Sequence, residues 1–96
     1  MQDQGRRVEV PHLVVRWAGN DGDQPRFGLA VSRRVGNAVV RNRVKRWIRE
    51  ALRQERQGLP GVDVVVIART SAGEAGHAAI RDSVVKAFGQ IRRGAR

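Results

Sequence analysis

The sequence contains no cysteine, no tyrosine and only nine acidic residues among its 96. Without cysteine there is no disulfide framework, no cysteine-ligated zinc site and no thiol nucleophile. No apolar run approaches the roughly 20 residues of a membrane span, and residues 1–10 lack the apolar segment of a signal peptide. We therefore expect a cytoplasmic protein with a single domain, residues 1–96, one modest core and flexible ends at 1–5 and 93–96.

The acidic residues and the two histidines show no catalytic pattern. Asp21 and Asp23 are close together but lie among turn residues, and His12 and His77 each stand alone. A nuclease site carried by the protein would bring such groups together at recognisable spacings. We therefore predict no catalytic residue and no metal site in this chain.

Positive charge is abundant and is concentrated in one part of the chain. The net charge is +10 and the sequence pI is about 11.8. Residues 33–56 hold nine lysines or arginines against two acids, Glu50 and Glu55. Such a local basic patch is the electrostatic signature of a protein that binds nucleic acid.

Four runs of β-forming residues are separated by turn residues and by one helical stretch. They lie at 6–10, 13–17, 27–31 and 62–68. Turn residues fill 19–25, so the second and third runs are expected to pair as an antiparallel hairpin with a long loop. The fourth run is almost continuously β-branched, which indicates a strand covered on both faces.

Two helices are predicted from apolar residues at helical spacing. The first should run from 38 to 57, with Asn37 as its N-cap and with Gly58 and Pro60 ending it. The second should run from 76 to 92, after a loop of small residues. The order β-β-β-α-β-α predicts an α+β fold: a single-domain α/β sandwich with a four-stranded, mostly antiparallel sheet and helices packed on it.

The first predicted helix separates apolar from basic side chains. At about 100° per residue, its apolar side carries Val40, Val44, Trp47, Ile48, Ala51 and Leu52. Its opposite side carries Asn42, Arg43, Lys45, Arg46, Arg49 and Arg53, with Arg41 at the boundary. Like charges three and four residues apart repel, so a helix selected for stability alone would carry more acids. The pattern therefore favours contact with a polyanion over a merely solvated surface.

Three residues of this region have two interpretations each. Trp47 lies within the apolar arc, and core packing is favoured over base stacking. Asn42 is either a plain surface residue or an amide that contacts RNA bases and 2′-hydroxyls. Asn37, which follows Gly36, can serve as a cap and can also help to hold a phosphate at the helix amides.

The central third of the chain resembles a known family. The run FGLAVSRRVGNAVVRNRVKRWIRE, residues 27–50, is similar to the signature of the bacterial ribonuclease P protein subunit, which is centred on Arg41-Asn42-Arg43. Downstream, DVVVIAR at 63–69 matches the next strand of that family and the arginine that ends it. The resemblance covers roughly residues 5–93 and is most specific in the Arg-Asn-Arg context.

The resemblance implies a fold and a role. The Arg-Asn-Arg helix would lie in a left-handed crossover between parallel strands, although right-handed crossovers are the general rule. The chain would be the small subunit of an endoribonuclease whose RNA subunit hydrolyses precursor tRNA to release its 5′ leader. Its partners would be the catalytic RNA and the leader, with Mg²⁺ held mainly by the RNA, and neither a protein partner nor a membrane is expected.

The resemblance and the helix pattern together assign site residues. Contacts with the catalytic RNA are expected from Arg33, Arg34, Asn37, Arg41, Asn42, Arg43, Lys45, Arg46, Arg49 and Arg53. The leader is expected in a cleft between this helix and the sheet. Leu13, Phe27 and Arg69 are the candidates to contact it.

The sequence departs from the family at its start. Members usually begin with a helix whose phenylalanines line the leader cleft, and this sequence begins about where that helix ends, at Gln4 and Gly5. Arg16 or Trp17 stands where members often carry another aromatic residue. Either this sequence is shortened at its start or this member lacks that wall, so contact with the leader is a weaker expectation than contact with the catalytic RNA.

Two other classes of function fit part of the pattern. Charge and composition also suit a structural RNA-binding protein of the ribosomal type, and only the context of Arg41-Asn42-Arg43 favours the ribonuclease P subunit over it. A sequence-specific DNA binder would need a helix-turn-helix pair or a dimerisation element. The basic helix is instead flanked by predicted strands, which argues against that class.

Overall fold

In the computed structural model, which describes residues 5–94, a four-stranded sheet carries two long helices on one face. The strands are β1 (Arg6–Val10), β2 (Leu13–Gly19), β3 (Arg26–Ala30) and β4 (Val62–Ala68), and the helices are α1 (Ala38–Glu55) and α2 (His77–Gly94). Two short 3₁₀ turns, Arg33–Val35 and Thr70–Glu74, precede α1 and α2. The expected α+β class and the element order are confirmed.

The strands lie in the order β1-β2-β4-β3. β1 and β2 form a tight antiparallel hairpin through Pro11 and His12, β2 is antiparallel to β4, and the edge strand β3 is parallel to β4. The predicted hairpin of the second and third strands is therefore wrong, because β4 lies between them. The loop over 20–25 is long enough to let β3 move away, and β4 offers both strands a more apolar partner.

Helix α1 connects the parallel strands β3 and β4 and so completes a β-α-β unit. The left-handed sense of this crossover stays a prediction. Helix α1 ends two residues earlier than predicted, and Gly58 adopts a φ of 82° in the turn that leads to β4. Helix α2 extends to Gly94, so Arg93 belongs to the helix and not to a loose tail. Residues 1–4 and 95–96 of the predicted flexible ends lie outside the described residues.

Only one face of the sheet is covered. In β4 the even-numbered residues from Val62 to Ala68 are buried against the helices, whereas Val65 is 40% exposed. The prediction of a strand covered on both faces is therefore wrong, since both helices pack on the same side. We call the uncovered side the open face. Across it, the strand register aligns Arg7, Arg16, Val65 and Gly28 in one row and Glu9, Val14, Ile67 and Ala30 in the next.

A single apolar core joins the helices to the sheet. Its largest fully buried side chains are Phe88, Leu13, Ile48, Ile80 and Ile91. Ser83 is buried with them, and its hydroxyl donates a hydrogen bond to the carbonyl of Pro11, which ties α2 to the β1–β2 turn. This packing fixes which side of α1 faces solvent. Within residues 5–94, no helix is long and apolar enough to cross a membrane.

An ion pair at the open face lowers the pKa of a carboxyl. Arg26 donates two hydrogen bonds to Asp63, at 2.8 and 3.0 Å, and the amide of Asn20 donates a third at 3.1 Å. The bonds from Arg26 and then from Asn20 hold the pKa of Asp63 below its ordinary value of 3.8. Such a carboxyl stabilises the fold above its unfolded-state pKa, and that contribution is lost as the pH falls through the lower folded-state pKa.

We therefore expect Asp63→Asn to reduce the acid sensitivity of the fold. Below about pH 4, the free energy of unfolding should fall more steeply for the wild type than for the variant. Urea unfolding followed by circular dichroism at several pH values measures this difference. Glu74→Gln is the control, because Glu74 is exposed and makes no ion pair among the described residues. Equal pH slopes for the wild type and Asp63→Asn would contradict a lowered pKa.

Candidate nucleic-acid interface

One side of α1 is buried and the other is exposed. The buried side consists of Val44, Ile48, Ala51 and Leu52, as the periodicity predicted. The exposed residues Asn42, Arg43, Arg46, Arg49 and Arg53 are called the basic face, and the half-buried Arg41 and Lys45 flank it. Packing of the apolar side thus turns a row of cations towards solvent, where a polyanion can reach it.

The two acids of α1 do not neutralise the basic face. Glu50 contacts the imidazole of His77 at 3.1 Å, and Glu55 pairs with Arg92 at 3.2 Å. His77 and Arg92 both belong to α2, so both acids are engaged at the helix–helix contact. Among residues 5–94, no arginine of the basic face makes an ion pair. The arginines of the basic face are therefore available to an external anion.

Side-chain caps order the segment that leads into α1. The side chain of Asn37 accepts a hydrogen bond from the amide of Val40 at 3.0 Å, which confirms it as the N-cap. Ser32 caps the preceding 3₁₀ turn by accepting from the amide of Arg34 at 3.3 Å. Arg33 and Arg34 are exposed on this turn, so they extend the cationic surface beyond the start of α1.

A close approach of the two 3₁₀ turns fixes the position of this segment. A Cβ on Gly73 would lie 2.7 Å from the carbonyl oxygen of Val35 and 3.1 Å from Cγ1 of Val40. Both distances are shorter than ordinary van der Waals contact. Glycine is therefore needed at position 73 for the second turn to pack on the first, next to the exposed Arg33 and Arg34.

Loss of the helix cap should have a modest effect on stability. We expect Asn37→Ala to lower the free energy of unfolding by about 1 kcal/mol, because the amide of Val40 loses its partner. Urea unfolding measures the change. Asn42→Ala is a matched control, since it also replaces an exposed asparagine near the start of α1 and should change stability by less than about 0.5 kcal/mol. Equal stabilities for the two variants would show that the cap contributes nothing.

Trp47 joins the core to the basic face. Its half-buried side chain packs against the core, as predicted. The guanidinium carbon of Arg43 lies 5.7 Å from the centroid of the Trp47 ring, within the range of a cation–π contact. The tryptophan thereby restricts where Arg43 can point.

The three leader candidates do not form one cleft. Leu13 has no exposed surface, because its side of β2 faces the helices. It is a core residue, so the prediction that it contacts the leader is wrong. Phe27 is half-buried on the helix side of the sheet, where its ring stacks on Phe88 with centroids 6.0 Å apart. Arg69 is exposed and pairs with Glu9 of the open face at 3.3 Å. The sheet therefore separates Phe27 from Arg69.

Phe27 and the basic face meet in a small surface pocket. Its lining residues are Phe27, Arg49, Leu52, Arg53 and Arg56, and its volume is about 160 Å³. Arg56, which the sequence pattern did not single out, lies with its guanidinium carbon 5.9 Å from the Phe27 ring centroid. The spacing of Arg49, Arg53 and Arg56 places them on one side of a helix. This spacing could have identified Arg56 as a site residue from the sequence.

The described residues offer donors for anions and no ligand set for a metal. Within 5–94, no three His, Asp or Glu side chains are grouped so that they could hold a metal ion. Arginine forks and asparagine amides instead match phosphate oxygens, sugar hydroxyls and base edges. The site is therefore suited to bind the outside of a nucleic acid, and its residues do not fit a resident Mg²⁺ ion.

These features define a small α+β protein with an exposed cationic helix, a class that binds nucleic acid largely through phosphate contacts. A comparison with protein families matches residues 1–92 to the family described as Ribonuclease P. The chain belongs to the ribonuclease P protein family.

Two relatives illustrate how far the similarity extends. The ribonuclease P protein component of Xanthomonas euvesicatoria pv. vesicatoria (strain 85-10) is 44% identical over 85 residues, which are 88% of this chain and 58% of that protein. The one from Desulforapulum autotrophicum is 37% identical over 90 residues, which are 93% of this chain and 77% of that protein. The chain thus spans less than two thirds of the length of the Xanthomonas relative.

Solved structures of the same family share the fold. The ribonuclease P protein of Staphylococcus aureus superposes with a TM-score of 0.80 at 34% identity, over 91% of this chain and 80% of that one. The protein from Thermotoga maritima gives a TM-score of 0.77 at 30% identity, over 94% of this chain and 84% of that one. The sheet with two helices on one face is therefore the fold of the family.

Proposed function

We propose that this chain is the protein subunit of a ribonuclease P ribonucleoprotein and that the basic face of α1, with Arg33 and Arg34, binds the catalytic RNA. The observation that carries the proposal is the absence, among residues 5–94, of any ion pair on the basic face. An unneutralised row of arginines gains affinity from each RNA phosphate it contacts, because condensed counterions are released. Membership in the family supports the identity of that RNA.

The hydrolysis itself is assigned to the RNA subunit. Among the described residues, no three His, Asp or Glu side chains are grouped so that they could hold a metal ion. The hydroxyl of Ser71 lies 2.8 Å from Nδ1 of His12, but this pair is exposed and no metal-ligand group accompanies it within 5–94. Membership in the family is therefore what supports chemistry by the RNA. We propose that Mg²⁺ is held mainly by the RNA, whose phosphate oxygens suit it. The protein reduces the repulsion between RNA phosphates and so lowers the Mg²⁺ concentration that the RNA needs.

The 5′ leader of precursor tRNA is assigned to the open face of the sheet. This face carries exposed Arg16 and Arg7 beside the apolar Val65, and its acids Glu9 and Asp63 are already paired with arginines. Single-stranded RNA is commonly bound on exposed sheet surfaces, where bases lie on side chains and phosphates meet cations. Of the three residues expected to contact the leader, Arg69 lies on this face. We place the complex in the cytoplasm, as the sequence suggested.

The decisive experiment is cleavage of a precursor tRNA by a bacterial ribonuclease P RNA at low Mg²⁺, with and without the protein. The proposal expects accelerated release of the 5′ leader when the protein is present. A matched substrate with a one-nucleotide leader tests the open face, because it should gain less from the protein.

Two results would contradict the proposal in different ways. Tight binding to the catalytic RNA without faster cleavage would reject the role in leader release. Failure to bind that RNA, together with binding to other structured RNAs, would favour the structural RNA-binding protein of the ribosomal type.

A further inference from the structure

We propose that the pocket between β3 and the end of α1, lined by Phe27, Arg49, Leu52, Arg53 and Arg56, receives one unstacked nucleotide of the bound RNA. The proposal rests on the proposed function, because it requires RNA along the basic face of α1. It adds a pocket for a base to a surface that otherwise contacts phosphates.

One residue that lines the pocket carries an aromatic ring whose orientation is set by packing. The Phe27 ring is nearly parallel to that of buried Phe88, with an interplanar angle of 11°, so packing orients it before any ligand arrives. Nucleobases stack on aromatic rings and on arginine guanidinium planes. The Arg56 guanidinium lies over the Phe27 ring, so an entering base displaces this exposed side chain or lies beside it. Neither movement requires a rearrangement of the core, because Phe88 keeps Phe27 in place.

The size of the pocket limits what can enter. Its volume of about 160 Å³ is below the roughly 300–1,000 Å³ of sites for drug-sized ligands. The pocket is open to solvent and has room for one planar ring system, with the rest of a larger ligand lying outside it. Leu52 supplies an apolar wall, which suits the faces of a base better than a hydrated ion.

The charge of the rim selects an anionic occupant. Arg49, Arg53 and Arg56 are all exposed, and none of them forms an ion pair within the described part of the chain. A base on Phe27 would bring its own phosphate within reach of such arginines, which bind phosphate oxygens in a fork geometry. A ring attached to a phosphate matches the pocket in both shape and charge.

The catalytic RNA is the expected source of this nucleotide. Arg49 and Arg53 belong both to the pocket and to the basic face, so RNA bound along α1 passes the pocket. The open face, to which the leader is assigned, lies on the opposite side of the sheet. Binding assays with the catalytic RNA and with precursor tRNA show which of these two RNAs supplies the nucleotide.

The test compares affinity and its salt dependence in full-length variants. Phe27→Leu keeps an apolar side chain against Phe88 but removes the ring face, and we expect it to weaken binding of the ribonuclease P RNA about 5- to 150-fold. Because stacking releases no counterions, the slope of log affinity against log salt should stay unchanged. Phe27→Tyr keeps the ring and should bind within about threefold of the wild type. Arg56→Gln should weaken binding and flatten the slope by about one.

Controls separate loss of the pocket from loss of the fold. Arg93→Gln removes an exposed arginine of α2 and should leave affinity unchanged. Urea unfolding of each variant verifies that binding is measured on folded protein, and Arg56→Gln tests the pocket without touching the core.

The source of the nucleotide follows from which RNA shows the effect. Weaker binding of Phe27→Leu to the catalytic RNA alone assigns the nucleotide to that RNA. An effect seen only for precursor tRNA, and not for mature tRNA, on the assembled holoenzyme assigns it to the leader. Wild-type affinity of both Phe27→Leu and Arg56→Gln in both assays, with normal stimulation of cleavage, would overturn the pocket but leave the proposed function intact. No binding of the ribonuclease P RNA by the wild type would overturn both.

Discussion

Replacing Arg43 and Arg46 together by alanine is expected to weaken binding of the ribonuclease P RNA about 100-fold at about 0.1 M salt. Each arginine is exposed on the basic face and is free of ion pairs within residues 5–94. A charged hydrogen bond to a phosphate contributes roughly 1.5 kcal/mol, which is about tenfold in affinity. Filter binding over a range of salt concentrations should also show a slope that is smaller by about two.

The same variant distinguishes loss of binding from loss of folding. Removing Arg43 and Arg46 relieves the repulsion between like charges three residues apart but also removes the contact of Arg43 with Trp47, so the urea midpoint should change little. Arg7→Ala, on the open face, is the control for a change of charge elsewhere and should leave affinity for the catalytic RNA nearly unchanged. An unchanged salt slope in the double variant would reject phosphate contact by these two arginines.

The largest effect on stability is expected from Phe88→Ala. Phe88 is fully buried at the centre of α2 and stacks on Phe27, so its removal leaves a cavity that the sheet and helices cannot fill. Such a change costs about 3–5 kcal/mol, against a total stability of about 5–15 kcal/mol for a domain. Thermal unfolding followed by circular dichroism should show a midpoint lowered by more than about 10 °C.

A matched control comes from the same helix. Val85 is 44% exposed, and Val85→Ala should change stability by less than about 0.5 kcal/mol. A small loss for Phe88→Ala, similar to that of Val85→Ala, would show that α2 does not pack on the sheet as described. At low temperature, where the variant is still folded, RNA binding should be weaker because Phe27 has lost the ring that orients it.

The basic face could be predicted from the sequence because its cause is local. The two sides of an α-helix follow from the rotation per residue, so Val44 is buried and Arg46, two residues further on, is exposed on the opposite side of α1. Asn37 was identified as the N-cap for the same reason, since a cap bonds to an amide only three residues away. The pairing of Glu50 and Glu55 with α2 could not be predicted from the sequence, because it depends on how the two helices pack.

The arrangement of the strands could not be predicted from local patterns. A period of two marks a strand but does not identify its neighbour, so the second and third strands appeared to pair although β4 separates them. The β-branched run in β4 likewise did not show that Val65 faces solvent. Leu13 was misassigned for a related reason: its exposure depends on which side of β2 the helices cover. The pocket joins Phe27 to residues between Arg49 and Arg56, on a different element of the fold, and is therefore a product of the tertiary structure.

The sheet order also determines when the RNA-binding surface comes into existence during synthesis. Translation proceeds from the N-terminus, so the arginines of α1 are made before β4, the strand that pairs with both β2 and β3. An isolated helix of this length is marginal in water, and repulsion between its arginines weakens it further. Only when β4 and α2 have been made does α1 have a surface on which to dock its apolar side. A nascent chain that ends before residue 62 therefore contains the arginines of the RNA-binding surface but lacks the packing that holds α1 as a stable helix.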